Sequence, residues 1–552
     1  MALKDAHKAS SMAGTLSSLL LILLSISSAF LPSRLTCAHQ STDLRDGNQA
    51  LVDPMTGEQK WRYFKMLIDC GYKEIEVAFP SAAQQEFDFV RRLIETPGAV
   101  PDDVAVQVLT PCREGLIKRT VESVRGAKKA IVHLYNATSP CFRQVVFNNT
   151  KEETIELAVR CTKYVRHLTK DTDPNTYWMF EYSPETFSAT EPDFVVEICN
   201  AVKAAWEPTE DNPIIFNLPA TVEMSTPNVY ADQIEYFCTH ITERDKCCVS
   251  LHPHNDRGCA IAACELAQMA GADRVEGVLF GNGERTGNVD LVTLALNLYT
   301  QGVKPGVDFS NLAAIMRIYT ECNNLPIHPR HPYAGELVFT AFSGSHQDAI
   351  KKGFAVQRAR NDGIWDMPYL PIDPKDLGAT YEAVIRVNSQ SGKGGVAWII
   401  QENLELDLPR RLQIAFSRIV QRIAEEKSRE LTVEEILTAF KKAYISTKAA
   451  FQLGNDYRMR SSPEGRSFEG TVVHNGVAHH LEGIGNGPVS ALIDALGKFT
   501  HIQLDVRELV EHAIGKGKNT RAAAYIELTA AGHGDVGFWG VGIDEDTVPS
   551  PF

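Results

Sequence analysis

No cysteine follows Cys322, and none of the 12 cysteines forms a C-x-x-C pair. That distribution excludes a disulfide-stapled scaffold and suits reduced, buried thiols, with Cys247-Cys248 inside an apolar run. Positive charge is also short. The chain has 55 Lys and Arg against 69 Asp and Glu, a net charge of −14. This argues against nucleic acid as a partner and for a soluble enzyme, with no membrane partner expected. No G-x-G-x-x-G follows the first strand candidate. The glycines of Gly281-Asn-Gly-Glu-Arg-Thr-Gly-Asn288 have the wrong spacing for that fingerprint and follow the last strand, so a Rossmann nucleotide loop is not expected there.

What is present is a periodic array. Apolar runs at 38–44, 74–79, 104–109, 130–135, 177–182, 213–218, 247–252 and 274–280 read as strands. Amphipathic segments such as Gly57–Cys70, apolar at three- and four-residue spacing with a Gly just beyond, separate them. Eight βα units in roughly 250 residues predict an α/β fold, a (β/α)8 barrel over 41–300 with its site at the carboxyl ends of the strands. The polar residues sit there. Arg45 and Asp46 end the first strand, Glu185 follows the fifth, Thr221 the sixth, and His252 and His254 end the seventh. A lone His-x-His is more often a surface or core feature. Here the two imidazoles project to one face and, with Asp46, make a ligand set for a catalytic divalent ion. Arg45 beside them offers a fixed cationic fork for a developing oxyanion.

Several long motifs resemble the 2-isopropylmalate synthase family in its long form, found in fungi and some bacteria. They are Ser41-Thr-Asp-Leu-Arg-Asp-Gly-Asn-Gln49, Asn217-Leu-Pro-Ala-Thr221, Leu251-His-Pro-His-Asn-Asp-Arg-Gly258 and Phe280-Gly-Asn-Gly-Glu-Arg-Thr-Gly-Asn288. Ala341-Phe-Ser-Gly-Ser-His-Gln-Asp348 and Pro368-Tyr-Leu-Pro-Ile-Asp-Pro374 join them, and the likeness spans about 41–547. The resemblance implies an acyltransferase. It would condense acetyl-CoA with 2-oxoisovalerate to 2-isopropylmalate and CoA, the committed step toward leucine, with leucine as feedback inhibitor and a homodimer as the working unit. It implies Asp46, His252 and His254 as ligands of zinc, magnesium or manganese, Asn288 as a further or supporting ligand, and potassium as an activator. Arg45, Glu185 and Thr221 would grip the keto acid and orient the acetyl donor, and His133, Ser183 and Pro219 would house the isopropyl group. His346 and Tyr369 would come from the neighbouring subunit. The base is His346 first, Glu185 second, or a relayed water. Homocitrate and citramalate synthases share these ligands and remain alternatives, as does a catalytically silent amino-acid-sensing paralogue, although sensing needs none of Arg45, Asp46, His252 and His254. A biotin-dependent transcarboxylase barrel would want a biotinyl Met-Lys-Met, which is not found.

Beyond the barrel, residues 301–450 read as helical subdomains covering the partner's active site. Thr432 and Glu435 in this region form a capping box. Ser391-Gly-Lys-Gly-Gly395 is not a Walker motif and reads as a helix-capping turn, with a CoA-phosphate contact as the alternative. Residues 451–467 read as a polar linker and 468–552 as an α+β regulatory domain that opens on a hairpin at Asn475-Gly476. Gly483-Ile-Gly-Asn-Gly-Pro488 leads into a helix whose N-terminus can receive a carboxylate. The resemblance places leucine near Gly483, Gly485, Asn486, Asp505, His512, Ala513 and Ile514. Two further features stand out. Leu16–Ile26 behind Lys4 and Lys8 looks secretory, which is incompatible with acetyl-CoA chemistry. Residues 1–40 are therefore read as a non-native leader, and a cytoplasmic or mitochondrial location is expected. The family's final helix is also replaced by Pro549-Ser-Pro-Phe552, so the regulatory domain is expected to be truncated.

Overall fold

A computed structural model describes residues 38–379, 393–427, 429–445, 451–462, 465–515, 521–532 and 537–544. They fall into two units. The first holds the described residues up to Phe339 with Asn361–Asp366 and 370–379, and the second holds Thr340–Arg360, Met367–Tyr369 and the described residues from 393 on.

The first unit is a closed barrel of eight parallel strands in sequence order. They are β1 (Ala38–Ser41), β2 (Glu74–Ala78), β3 (Ala105–Pro111), β4 (Lys129–Ala137), β5 (Tyr177–Glu185), β6 (Ile214–Ala220), β7 (Cys247–Pro253) and β8 (Arg274–Gly277). Closure comes from β1 on β8, with Ala38 opposite Arg274 and Ser41 opposite Gly277. Helices alternate with the strands: α1 (Gly57–Asp69), α2 (Gln84–Glu95), α3 (Glu114–Val124), α4 (Lys151–Leu168), α5 (Pro192–Trp206), α6 (Pro227–His240), α7 (Ala260–Met269) and α8 (Leu291–Thr300), with α9 (Leu312–Asn323) after them. Each lays an apolar stripe on the barrel. α1 starts at a capping box between Thr56 and Gln59 and buries Tyr63, Phe64, Met66 and Leu67. The expected (β/α)8 architecture is therefore present.

Two boundaries move. β1 begins at Ala38, and His39 and Gln40 are buried in the barrel wall, with His39 Nδ1 2.9 Å from the Pro305 carbonyl. A leader ending at residue 40 would cut into the first strand, so the last three residues assigned to it belong to the barrel. The reading of residues 1–37 lies outside the described residues. β8 ends at Gly277, short of the expected Phe280.

The second unit carries helices α10 (Gly344–Arg360), α11 (Lys393–Leu404), α12 (Arg410–Lys427) and α13 (Val433–Phe440), the last opened by the Thr432–Glu435 capping box. Residues 451–467 are not a linker. They form β9 (Phe451–Leu453), β10 (Arg458–Ser462) and the start of β11 (Gly465–His474), all antiparallel to β11 or within it. β11 turns through Asn475 and Gly476, both at positive φ, into β12 (Val477–Gly485). The expected hairpin is present. Helix α14 (Pro488–Thr500) covers this sheet through Phe468, Val472, Leu481, Ala491, Leu492 and Ala495. A second antiparallel sheet joins β13 (Leu504–Ile514), β14 (Arg521–Ala530) and β15 (Phe538–Asp544). Residues 391, 392 and 545–552, on which the Gly-rich turn and the expected truncation rest, lie outside the described residues. No helix among the described residues is long and apolar enough to cross a membrane.

Candidate active site

After β1 the chain coils into one π-helical turn, Asp43–Gly47, closed by the Gly47 N–H on the Thr42 carbonyl at 3.2 Å. Asp43 is buried and accepts from Tyr63 Oη at 2.7 Å and from the Leu279 N–H, which ties this turn to the end of β8. The turn presents Arg45 and Asp46 side by side. Arg45 Nη1 donates to Asp46 Oδ1 at 2.9 Å and Nε to Glu76 Oε2 at 2.6 Å, so the guanidinium plane is fixed from two sides.

β7 brings the histidines to the same place. His252 Nε2 lies 3.2 Å and His254 Nε2 3.9 Å from Asp46 Oδ2. The ligand atoms of Asp46, His252 and His254 all fall within 4.8 Å of one another, and all three residues are buried. Asn288 Nδ2 donates to Asp46 Oδ2 at 2.8 Å. Asn288 Oδ1 and His254 Nδ1 are buried without a hydrogen-bond partner among the described residues. Buried polar atoms normally find partners. Two imidazoles and a carboxylate gathered with such unpartnered polar atoms nearby fit a cation. The glycines of 281–288 serve this approach. A Cβ on Gly287 would strike the Gly281 carbonyl and one on Gly283 the Asn288 amide.

The charge states follow from the surroundings. Burial resists the charge on Asp46, but Arg45 and the His252 hydrogen bond outweigh it and hold the carboxyl well below its usual range. Burial also opposes protonation of His252, yet hydrogen bonds to Asp46 and Glu276 raise it to about 9. His254 is pushed down to about 4 by burial and by His252. Burial raises Glu185, with Arg45 opposing.

These residues wall a cavity of about 400 Å³ at the carboxyl ends of the strands. Arg45, Asp46, His133, Ser183, Glu185, Pro219, Thr221, His252 and His254 all line it. His133 Nε2 lies 2.7 Å from Ser183 Oγ, Asn217 Nδ2 donates to Ser183 Oγ at 3.0 Å, and Thr221 Oγ1 accepts from the Thr186 N–H at 2.9 Å. Gln49, Phe79, Leu109, Tyr135, Asn217, Glu284 and Arg285 complete the wall and were not singled out from the sequence. Sequence reasoning also missed Glu76, Glu181, Arg274 and Glu276, buried inside the barrel. Their signal was charge inside otherwise apolar strands, at alternate positions in Glu74-Ile-Glu76 and Arg274-Val-Glu276 and single at Glu181.

In the second unit His346 stacks on Tyr369 with ring centroids 4.1 Å apart. Tyr369 is exposed and sits at φ +63°, a conformation non-glycine residues adopt rarely and often at functional positions. The expected leucine residues divide. Gly483 and Gly485 lie on β12 with Asn486 at its exit, whereas Asp505, His512, Ala513 and Ile514 lie on β13 of the other sheet. Asp505 and Ile514 are nine positions apart on one strand, roughly 30 Å at 3.3 Å per residue. One leucine cannot touch both within a single chain.

Residues 37–318 match the HMGL-like family. Residues 336–401 match the alpha-isopropylmalate synthase post-catalytic domain-like family, and 430–551 the LeuA allosteric (dimerisation) domain. A 2-isopropylmalate synthase of Schizosaccharomyces pombe is 58% identical over 518 residues, covering 92% of this chain and 88% of the relative. A Saccharomyces cerevisiae protein named 2-isopropylmalate synthase 2, mitochondrial, is 57% identical, covering 92% and 85%. A Ralstonia nicotianae 2-isopropylmalate synthase is 56% identical, covering 91% and 87%. With relatives of this identity along nearly its whole length, the chain belongs to the 2-isopropylmalate synthase family.

Proposed function

We propose that the chain joins acetyl-CoA to 2-oxoisovalerate and, with addition of water to the thioester, releases 2-isopropylmalate and CoA. The observation that carries this reading is the convergence of Arg45, Asp46, His252 and His254 at a cavity whose other wall includes Leu109, Tyr135 and Pro219. Asp46, His252 and His254 would hold a divalent ion, zinc, manganese or magnesium, with Asn288 beside them. When bound, the ion supplies a Lewis acid that polarises the 2-oxo group.

The side chains do the rest. Arg45, locked by Glu76 and Asp46, donates to the keto oxygen as negative charge develops there during bond formation from the thioester methyl carbon. A base must first take a proton from that methyl. His346, stacked on Tyr369 and delivered by a second copy of the chain, is the base in this reading. Glu185, with a carboxyl that burial brings closer to neutrality, orients the acetyl donor and is the alternative base. His133 and Ser183, tied to each other, border the isopropyl group together with Pro219.

Leucine as feedback inhibitor is supported by the match to an allosteric domain, and a dimer by the same match. Potassium activation rests on the family resemblance alone. One relative is named as mitochondrial, which supports a mitochondrial site of action. The test is a panel of 2-oxo acids with acetyl-CoA, following CoA release. The expected result is the highest kcat/KM for 2-oxoisovalerate. A preference for 2-oxoglutarate or pyruvate would reassign the chain to the homocitrate or citramalate reaction.

A further inference from the structure

Beneath the three metal-site residues, buried side chains close a ring of polar contacts. From Asp46 it runs through Arg45 to Glu76, and Glu76 Oε1 lies 2.8 Å from His133 Nδ1. His133 Nδ1 is 3.1 Å from Glu181 Oε1, and Arg274 Nη1 donates to Glu181 Oε2 at 2.9 Å and to Glu276 Oε1 at 2.7 Å. Glu276 Oε2 then lies 3.1 Å from His252 Nδ1, and His252 Nε2 returns to Asp46 Oδ2 at 3.2 Å. Glu181, Arg274 and Glu276 are fully buried and do not line the cavity. Barrel interiors are normally filled by bulky apolar side chains. Exchanging buried ion pairs for apolar residues is often neutral or stabilising, so packing alone does not account for this set.

The chemistry of the ligand does. An imidazole binds a metal through one nitrogen, and the hydrogen bond made by the other decides which. His252 Nδ1 meets the Glu276 carboxylate, which can only accept, so Nδ1 keeps its proton, and Nε2, which faces Asp46, is the nitrogen that gives up its own when a cation binds. Glu276 cannot swing away, because Arg274 grips its other oxygen and Ser250 Oγ donates to it at 3.2 Å. Arg274 is itself anchored by Glu74 at 2.7 Å. His254 has no such orienting partner among the described residues.

We propose that Glu276, held by Arg274, is a positioning residue for the divalent ion, fixing His252 in the tautomer and orientation that present Nε2 to the metal. This rests on the metal reading of Asp46, His252 and His254. The test is manganese(II) titration of chelator-stripped full-length protein, read by loss of the free-ion electron paramagnetic resonance signal. Glu276→Gln should bind manganese ~10–100-fold more weakly than wild type, as loss of such an outer partner does elsewhere. Saturating manganese should restore its kcat, a rescue that a merely structural defect would not show. Glu181→Gln keeps a contact to Arg274 without touching His252, and its affinity should stay within about threefold of wild type, below the range for a lost orienting partner. Should Glu276→Gln fail to fold, Glu276→Asp decides, because it keeps the charge but withdraws the oxygen from Nδ1 and should also weaken binding. Unchanged affinity in the Glu276 variants, a loss that excess ion does not rescue, or an equal loss in Glu181→Gln overturns the inference. A wild-type chain that takes up no manganese overturns the metal reading and this inference together.

Discussion

The side chain of His254 makes no hydrogen bond among the described residues, and its Nε2 approaches Asp46 Oδ2 only to 3.9 Å. Its backbone N–H donates to the Ala220 carbonyl at 3.1 Å, and its Nδ1 lacks a partner among the described residues. Removing the ring therefore breaks no buried side-chain hydrogen bond, whereas it removes one of three candidate ligands. His254→Ala should retain the wild-type circular dichroism and lose condensation. Its metal affinity should fall by more than the ~10–100-fold that outer partners command. Calorimetric titration with a divalent ion and the CoA-release assay check both halves, and full activity in the chelator-treated variant would end the metal assignment. Arg45 asks a different question, since a lysine keeps the charge. An ammonium cannot hold Glu76 Oε2 and Asp46 Oδ1 in the plane of one fork. Arg45→Lys should lower kcat by ~10²–10³, as loss of one preorganised oxyanion donor does, with little change in the thermal transition. Equal kcat in the two proteins would exclude Arg45 from oxyanion stabilisation.

Elements were legible where the signal is local. The eight strands, the Thr432–Glu435 capping box and the Asn475-Gly476 turn each follow from residues within a few positions of one another. The misses have distant causes. β8 stops at Gly277 because the Leu279 N–H is taken by Asp43, 236 residues earlier, and Phe280 is at φ +58°. Arg458–Ser462 reads as linker because its residues are polar, yet it is a strand because β11 supplies its hydrogen bonds. At the site, Asp46, His252 and His254 were legible as a pattern, but the ring through Glu181, Arg274 and Glu276 is a product of barrel closure. The glycines of β12 teach the same lesson. A Cβ on Gly483 would lie 2.1 Å from the Ala491 carbonyl and 2.5 Å from the Ala495 nitrogen, so this glycine lets α14 approach the sheet. Gly483→Ala should therefore destabilise the C-terminal domain by ~1–3 kcal/mol through overpacking. Differential scanning calorimetry would register it as a lowered transition even without leucine. An unchanged transition would favour a purely ligand-binding role.

At the scale of the whole molecule, the candidate catalytic groups are divided. Arg45 and the metal-site residues belong to the barrel unit, while His346 and Tyr369 belong to the second unit, which also carries the matched dimerisation domain. If each site is completed by a second copy, two dead variants can repair one another. An Arg45→Ala barrel is lost even with a good His346, and a His346→Ala chain still has an intact barrel. In a mixed dimer, one site combines both defects and the other combines both intact halves. After subunit exchange at equal amounts half the dimers are mixed, so activity should recover to about a quarter of wild type for a twofold-symmetric pair. The measurement is CoA release before and after co-refolding, with exchange followed by tagged subunits. Recovery requires that His346 act across the interface, because no pairing of sites built within single chains yields an intact one. Confirmed exchange without recovery would place His346 and Arg45 in the same chain's site.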